Sequence, residues 1–326
     1  MQAIPMSLQG AADYLGNGAI EVPVFENEIM DLVRRSSVAL QRLPSVRATG
    51  HPHRYFEQTA IAAANFTDPR NISPTATGPT RVERSAYIKA LVGQTNIGLF
   101  DKEVTQQQGQ FAEVIAKDID DIVSSVQVSR ANYLWTGNDT SLTTPTTLQY
   151  MGLLNQITQT STIAPGASIV DGIKAIVASM VANISYVVKP TAIYCNPVAA
   201  DYLDREAKAG NITTGSMLVA GVQVSTIRTQ AGDLPIISEP YIPSSSTSAY
   251  GFSAPPTGYK NYFMAILDEN HIELPYISGN EANPNPRIFQ MGLTSALTGQ
   301  YVAVKFDAVI AKGASYAHAI VAVQRP

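Results

Sequence analysis

Two strand-like arms flank a turn-forming segment in residues 46–90, and this pattern constrains the fold more than any other feature of the chain. The segment between the arms, residues 66–79, contains residues that are typical of turns, namely Pro69, Pro74, Gly78 and Pro79. In residues 81–92 apolar and polar side chains alternate as they do in a strand, with Arg84 as the exception. The sequence therefore predicts a long hairpin.

The expected length of this hairpin decides how it has to be supported. Two arms of about 15 residues, at about 3.3 Å per residue, project roughly 50 Å. A two-stranded hairpin of that length is at best marginally stable in water by itself. We therefore expect it to lie on another surface, and a neighbouring subunit is the natural support. The hairpin residues that we expect to contact such a neighbour are Arg70, Arg81, Arg84, His51 and His53.

His51 and His53 also raise the question of a metal site. They are two residues apart on the first arm, so both side chains are expected on the same face of the strand. Two histidines on one face can form one edge of a metal site, but a third ligand has to come from elsewhere in the chain. The pattern favours a strand that contacts a partner, and we expect no metal and no cofactor.

Apolar residues recur at helical spacing in several later and earlier segments. Residues 25–43, 111–135 and 168–188 each predict a helix, and Asn196 with Pro197 begins a further one. The helix over 111–135 is the longest and spans about 37 Å at 1.5 Å per residue. It carries three spaced acids, Asp118, Asp120 and Asp121, which can bind a cation but more often form the solvated face of an amphipathic helix. Short predicted strands surround these helices, so the expected fold class is α+β.

Composition restricts the classes of protein that remain. Charged residues make up 15% of the chain, against about 25% in soluble globular domains, and such a surface is typical of one covered by other subunits. The net charge is −4 and no segment is densely basic, which argues against sequence-specific binding of nucleic acid. The N-terminus lacks the features of a signal peptide, and no apolar run approaches the ~20 residues of a membrane span. We expect no membrane partner.

The sequence contains no recognisable catalytic motif. A nucleophile elbow, a phosphate-binding loop, a dinucleotide fingerprint and a zinc-protease motif are all absent from it. Cys195 is the single cysteine, which excludes an intrachain disulfide, and its place at the end of a predicted buried strand indicates an inert thiol. His271 is expected on a surface turn, and His318 is expected to pack within the last strand. We therefore expect that the protein is not an enzyme.

The order of these elements resembles that of the major capsid proteins of tailed bacteriophages, which share the fold named after phage HK97. The projecting hairpin is followed directly by the strand YIKALVGQTNIGLFD and the long helix, and a separate unit contains KPTAIYCNPVAADYL. By this resemblance, residues 1–45 form an N-terminal arm with a short helix, and residues 46–90 form the extended hairpin called the E-loop. Residues 91–150 and 285–326 correspond to the peripheral domain with its spine helix. Residues 151–284 correspond to the axial domain.

The resemblance implies a structural function. Subunits of this family self-assemble into hexamers and pentamers of an icosahedral shell, which encloses double-stranded DNA without reading its sequence. A portal, a location in the virion and assembly in the host cytoplasm follow from the same likeness. Because the first predicted helix starts near residue 25, we expect a separate scaffolding protein. Asp118, Asp120 and Asp121 are then expected on an interior acidic face, where like charge keeps DNA from adhering to the wall.

The distribution of lysine bears on how such a shell is reinforced. Some members of the family cross-link an E-loop lysine to an asparagine of a neighbour, but residues 1–88 contain no lysine here. Lys89, at the base of the hairpin, is the first, so we expect no covalent cross-link through the loop. A cement protein bound between capsomers, by strand addition or through an extended arm, is expected instead. Two alternatives stay open: an encapsulin-type compartment with protein cargo, and a soluble hydrolase or binding module with no recognisable site.

Overall fold

The computed structural model describes residues 37–70, 77–98, 100, 103, 114–209, 215–219, 222–279, 283–291 and 298–326. The predicted N-terminal arm and most of the predicted helix over 25–43 lie outside the described residues. The helices are α1 (Val38–Arg42), α2 (Val114–Thr136), α3 (Leu153–Gln156), α4 (Ile169–Val181) and α5 (Pro197–Ala209), with a 3₁₀ turn at Glu269–His271.

The strands form two sheets and a separate hairpin, and the predicted α+β class is confirmed. In chain order they are β1 (Ser45–Arg47), β2 (His53–Ala60), β3 (Thr80–Ala86), β4 (Lys89–Gly98), β5 (Thr160–Ile163), β6 (Ala192–Cys195), β7 (Gly215–Val219), β8 (Val222–Thr229), β9 (Gly232–Ser238), β10 (Ser244–Ser245), β11 (Lys260–Leu267), β12 (Ile272–Ile277), β13 (Arg287–Met291), β14 (Thr298–Asp307), β15 (Ile310–Ala311) and β16 (Ala319–Arg325).

The six-stranded sheet is organised around β14. This strand pairs antiparallel with β4 along its whole length, and with β13 and the end of β12 on its other side. The strands β1 and β15 pair with β12. Helix α2 packs on one face of the sheet, where Ile122 and Val126 form a small core with Ala303. Gly93 permits this approach, because a Cβ at that position would lie 2.8 Å from the Ile122 side chain.

The eight-stranded sheet has the order β5-β16-β11-β6-β9-β8-β7, with β10 paired to β11. Its central strands are apolar on both faces, because both faces are covered. On β11, Phe263 belongs to one core, whereas Met264 belongs to the other core together with Ile173 of α4 and Leu203 of α5. The Phe263 core also contains Trp135 of α2 and Leu274 of β12 in the six-stranded sheet, so it lies between the two sheets and joins them.

The helix ends follow local sequence signals, with one difference from the prediction. Helix α4 begins at Ser168, whose hydroxyl accepts a hydrogen bond from the Asp171 amide at 3.1 Å. It ends at Val181, whereas the apolar spacing predicted a helix that continues to residue 188. The Asn183 carboxamide accepts bonds from the Ser185 and Tyr186 amides, and such a local turn competes with the helix.

The C-terminal segment is divided between the two sheets. The resemblance grouped residues 285–326 with residues 91–150, and β14 does pair with β4. The last strand, β16, instead lies inside the eight-stranded sheet, between β5 and β11. The reason is that residues 319–323 are buried on both faces, and only the eight-stranded sheet offers a core on each side. Strands β14 and β16 therefore belong to different sheets, and the division of the chain into a peripheral and an axial domain stays a prediction.

Candidate assembly surface

The hairpin of β2 and β3 has two different faces. The strands pair antiparallel from His53 opposite Ala86 to Ala60 opposite Thr80, with an irregularity between Gln58 and Ala60. Along β2, alternate residues are partly buried and exposed. The partly buried set is His53, Tyr55, Glu57 and Thr59, and the exposed set is Arg54, Phe56, Gln58 and Ala60. The face that carries the partly buried residues therefore lies against another surface. At the base of the hairpin, that surface belongs to the same chain.

The charged side chains of the hairpin pair mostly within it. Arg84 Nε donates to Glu57 Oε2 at 3.2 Å, and Arg54 donates to Glu83 at 3.0 Å on the exposed face. Arg84, expected to bind an acidic group of a neighbour, thus already has an acidic partner in its own chain. Arg70 and Arg81 are exposed and make no ion pair with any described residue.

The two hairpin histidines contact aromatic rings of the same chain. The ring of His51 meets Tyr87 edge-on at 5.1 Å, and its Nδ1 accepts a 3.4 Å hydrogen bond from the Ile88 amide. His53 stacks on Tyr55 at 6.4 Å, and burial lowers the pKa of His53. Among the described residues, no group of three or more His, Cys, Asp or Glu side chains is placed to hold a metal ion.

Lys89, the first lysine of the chain, is held in a nearly buried ion pair. Its ammonium donates to Asp139 Oδ2 at 2.8 Å and to the Thr147 carbonyl at 2.5 Å. Only 13% of the Lys89 side chain and none of the Asp139 side chain is exposed. Burial disfavours the Asp139 carboxylate, but hydrogen bonds from Lys89 and Thr146 outweigh it and hold the pKa of Asp139 well below its usual range. Lys89 therefore ties the base of the hairpin to the loop after α2.

Large apolar side chains are exposed on the outward face and beyond the paired part of the hairpin. Phe56 is 71% exposed, Ile61 80% and Phe66 fully exposed. A run of three such side chains on one projecting element is unusual for the surface of a monomer. The arrangement is typical of a segment that becomes covered by another molecule.

A second exposed apolar surface lies on the six-stranded sheet. Directly paired residues share a face, so the pairs Val304 with Val92 and Val302 with Phe289 lie on one side. This side is opposite to α2, which packs against Ala303, the residue between Val302 and Val304. Val92 is 55%, Phe289 43% and Phe306 41% exposed. We call these residues, with Val302 and Val304, the open sheet face.

The predicted acidic cluster lies near the described start of α2. Asp120 and Asp121 are exposed and Asp118 is partly buried. Asp121 forms an ion pair with Lys117 one helical turn earlier, at 3.6 Å. Asp120 and Asp121 are thus on the solvent side of α2, whereas Asp118 is one turn before Ile122, on the side that packs on the sheet.

The remaining candidate residues are packed or paired. The Cys195 thiol is fully buried in β6, and burial raises its pKa to about 12. The His271 ring is on the 3₁₀ turn, as predicted, and its Nδ1 lies 2.8 Å from Asp268 Oδ2. His318 is buried at the start of the last strand, where Nδ1 accepts from the Asp268 amide and Nε2 lies 3.1 Å from the Lys312 carbonyl oxygen. Burial lowers the pKa of His318 to about 4.

Sequence reasoning missed the buried carboxylates that join distant segments. Glu239 accepts hydrogen bonds from the Ser37 hydroxyl at 2.9 Å and from the Ala39 amide at 3.1 Å, which fixes the start of α1. Asp307 accepts from Arg130 Nε at 2.5 Å and from the Tyr150 hydroxyl. The partners of both carboxylates are more than 150 positions away, so no local pattern could have identified them.

Comparison with known proteins finds similarity in structure and none in sequence. No protein-family model matches the chain, and no curated protein matches it. The capsid of a native GTA particle aligns with a TM-score of 0.63 and 13% identity, covering 99% of each chain. The head of Helicobacter pylori bacteriophage KHP40 aligns with a TM-score of 0.65 and 12% identity, covering 95% of this chain and 96% of that one.

An encapsulin has the same fold. The SrpI encapsulin complex from Synechococcus elongatus PCC 7942 aligns with a TM-score of 0.60 and 12% identity, covering 99% of this chain and 96% of that chain. None of the described helices is both long and apolar enough to cross a membrane. The likeness to these shells extends over nearly the whole chain, so it concerns the complete arrangement of hairpin, long helix and two sheets.

Proposed function

From the HK97-like capsid fold of this chain, we propose that it is the major capsid protein of a tailed bacteriophage. Copies of it self-assemble into hexamers and pentamers of an icosahedral shell that encloses double-stranded DNA, and the protein is located in the virion. The observation that carries this proposal is the hairpin, whose foot is packed on its own chain while Phe56, Ile61 and Phe66 are exposed.

The energetic argument follows from apolar burial. Covering a large apolar side chain contributes about 1.5–3 kcal/mol, so three such residues per subunit supply a substantial driving force for association. The open sheet face offers a matching surface, because Val92, Phe289 and Phe306 are exposed on the same side of the sheet. A hairpin that reaches from one subunit onto the open sheet face of the next covers both surfaces at once.

The charge pattern fits a container for DNA better than a reader of DNA. Asp120 and Asp121 are exposed on α2 and Asp118 is partly buried beside them, and we assign the three to the interior of the shell, where they repel the phosphate backbone. Contact with packaged DNA is then without sequence specificity. The protein has no catalytic role in this proposal.

Further partners follow from the way the shell has to be built and kept. Because Lys89 is engaged by Asp139, it is not free to form a covalent bond with a neighbour. We therefore propose a cement protein bound between capsomers as the reinforcement. A separate scaffolding protein directs assembly in the host cytoplasm, and a portal occupies one vertex.

Negative-stain electron microscopy of the purified, concentrated protein tests the proposal. The unaltered chain should form shells or capsomer rings. A variant with Ile61→Ser and Phe66→Ser should remain a folded monomer, because it loses apolar contacts between subunits and none within its own core. Gln58→Ser, on the outward face of the hairpin, is the matched control and should assemble normally. Monomers of the unaltered chain under every condition would contradict a shell function and favour a soluble enzyme or binding module.

A second candidate is the shell of an encapsulin-type compartment, which the likeness to the SrpI encapsulin complex supports. The two candidates differ in cargo, since one encloses DNA and the other protein. Sequencing the neighbouring genes separates them: terminase and portal genes support the capsid, and genes for cargo enzymes support the compartment.

A further inference from the structure

One carboxylate of the hairpin, that of Glu57, bonds directly to the body of its own chain. Glu57 Oε1 accepts a 3.1 Å hydrogen bond from the Gly313 amide, and Glu57 Oε2 accepts from Arg84 across the hairpin at 3.2 Å. Only 14% of the Glu57 side chain is exposed, compared with 53% for Arg84. A hydrogen bond to a charged acceptor that is shielded from water is stronger than one at an exposed site. Glu57 is thus a shielded, charged contact between the hairpin and the body.

The loop that receives Glu57 has a fixed shape. Gly313 has a φ of +65°, a backbone conformation that favours glycine, and its carbonyl accepts from the Tyr316 and Ala317 amides. A Cβ at Gly313 would lie 2.8 Å from the Tyr316 ring, which is itself stacked on Tyr186 with ring centroids 3.7 Å apart. A rigid loop therefore holds the Gly313 amide toward Glu57, and position 313 does not readily accept a side chain.

A second contact lies beside the first. The Lys312 ammonium lies 5.4 Å from the centre of the Tyr55 ring. Tyr55 is two residues before Glu57, on the same face of β2. Lys312 is held there by an ion pair with Glu273 at 2.5 Å, and its amide donates to the His271 carbonyl at 2.7 Å. The body therefore holds the hairpin through two neighbouring residues of one loop, Lys312 and Gly313.

Next to these contacts the hairpin spans open space. A cleft of about 520 Å³ separates it from the body, lined on the hairpin side by Thr59 and Ser85 and on the body side by Ser141, Thr158 and Ser315. The hairpin can rotate into this cleft once the contacts at Glu57 are lost. If the arm stays extended to Pro69, it reaches about 40 Å beyond Glu57, so a rotation of about 15° moves its tip by about 10 Å.

We infer that Glu57 and Gly313 form a latch that sets the direction in which the hairpin projects from the subunit. In this inference, which rests on the proposed shell function, Glu57 is a positioning residue for assembly. The latch delivers Ile61 and Phe66 to the correct place on a neighbour, although it does not touch that neighbour itself. Neighbouring strands in a sheet lie about 4.8 Å apart, so a displacement of about 10 Å at the tip corresponds to about two strand spacings.

Hydrogen exchange with mass spectrometry on the unassembled subunit tests the latch directly. Glu57→Ala should raise amide exchange in residues 53–60 and 80–86 about tenfold, whereas exchange in β6 and β11 should not change. Glu57→Gln keeps an acceptor for the Gly313 amide but loses the charge, so it should raise exchange in the same residues by a smaller factor, about threefold. Glu83→Ala is the matched control, because Glu83 pairs with Arg54 on the outward face and forms no ion pair with the described residues of the body. The control should stay within twofold of the unaltered protein.

Microscopy of the same variants gives the second measurement. Glu57→Ala should yield incomplete or irregular particles, Glu57→Gln should recover regular ones, and Glu83→Ala should assemble as the unaltered chain does. The latch is refuted if hairpin exchange in Glu57→Ala equals that of the unaltered subunit, or if the Ala variant forms regular particles. If amide exchange in Glu57→Ala also rises in β6 and β11, the Gln variant decides. Faster exchange confined to the hairpin in Glu57→Gln then supports the latch, and unchanged exchange in that variant refutes it. Should the unaltered chain fail to assemble, the shell function fails, while the exchange experiment still decides the latch.

Discussion

The ion pair between Lys89 and Asp139 provides the most direct test of how the base of the hairpin is built. Replacing Asp139 with alanine leaves the Lys89 ammonium, which is 13% exposed, without its carboxylate. Removing one partner of a buried ion pair costs about 3–5 kcal/mol. Because Lys89 keeps the Thr147 carbonyl and some contact with water, we expect about 3 kcal/mol, near the lower end of that range.

Thermal unfolding of the unassembled subunit measures this cost. At about 2.1 cal/mol/K per residue, the 326 residues have an unfolding entropy of about 0.7 kcal/mol/K, so about 1 kcal/mol lowers the melting temperature by about 1.5 °C. Asp139→Ala should therefore lower it by about 4–5 °C. The matched control is Asp201→Ala, which breaks an exposed pair with Arg205 in which the side chains are 53% and 70% exposed. Such a pair contributes about 0.3–0.5 kcal/mol, and the control should change the melting temperature by less than about 1 °C.

Two further measurements separate a charge effect from a loss of packing. Adding Lys89→Met to Asp139→Ala removes the unpaired charge and should raise the melting temperature again. The low pKa of Asp139 gives the second: its contribution is complete above the unfolded value of about 3.9 and is lost as the pH falls below it. The difference between the unaltered protein and Asp139→Ala should therefore shrink in acid. A shift of less than 2 °C at neutral pH, or a double variant less stable than the single one, refutes the reasoning.

Three other outcomes are expected. Deleting residues 60–80 should leave a folded monomer, measured by circular dichroism, that no longer forms particles; an unfolded product would mean that the hairpin belongs to its own core. The pKa of His318 falls from 6.5 to about 4 on folding because of burial, so stability should be complete above about pH 6.5 and decrease toward pH 4 by about 1.4 kcal/mol per unit. In His318→Gln, in which Asp268, His271 and Lys312 still surround the site, this slope should flatten, and an unchanged slope would assign it to other groups. On a denaturing gel, DNA-filled particles should show this chain as one band at its mass of 34.9 kDa with an abundant smaller protein beside it, and a ladder of multimers would contradict the absence of cross-linking.

Local sequence signals determined most of the secondary structure. Alternating side chains around a segment rich in Pro and Gly predicted the hairpin. Helical spacing predicted α2, as far as the described residues extend. Asn196 and Pro197 set the start of α5, where the Asn196 carboxamide accepts from the Val198 amide at 3.0 Å. These predictions succeeded because the forces that decide them act between residues that are close in sequence. The predicted extension of α4 to residue 188 was wrong, because the local turn formed by Asn183 was not weighed against the apolar spacing.

Only the tertiary structure decided where those elements meet. Alternation along β2 shows that two faces differ, but it does not say that Glu57 faces Gly313, a residue 256 positions later. Arg84, which we expect to contact a neighbouring subunit, pairs with Glu57 of its own chain, because both side chains lie on the inward face of the hairpin. The apolar run of β16 indicated a buried strand without indicating which sheet it joins. That choice depends on cores built by α4, α5 and α2, and a pattern within one segment carries no information about surfaces supplied by distant ones.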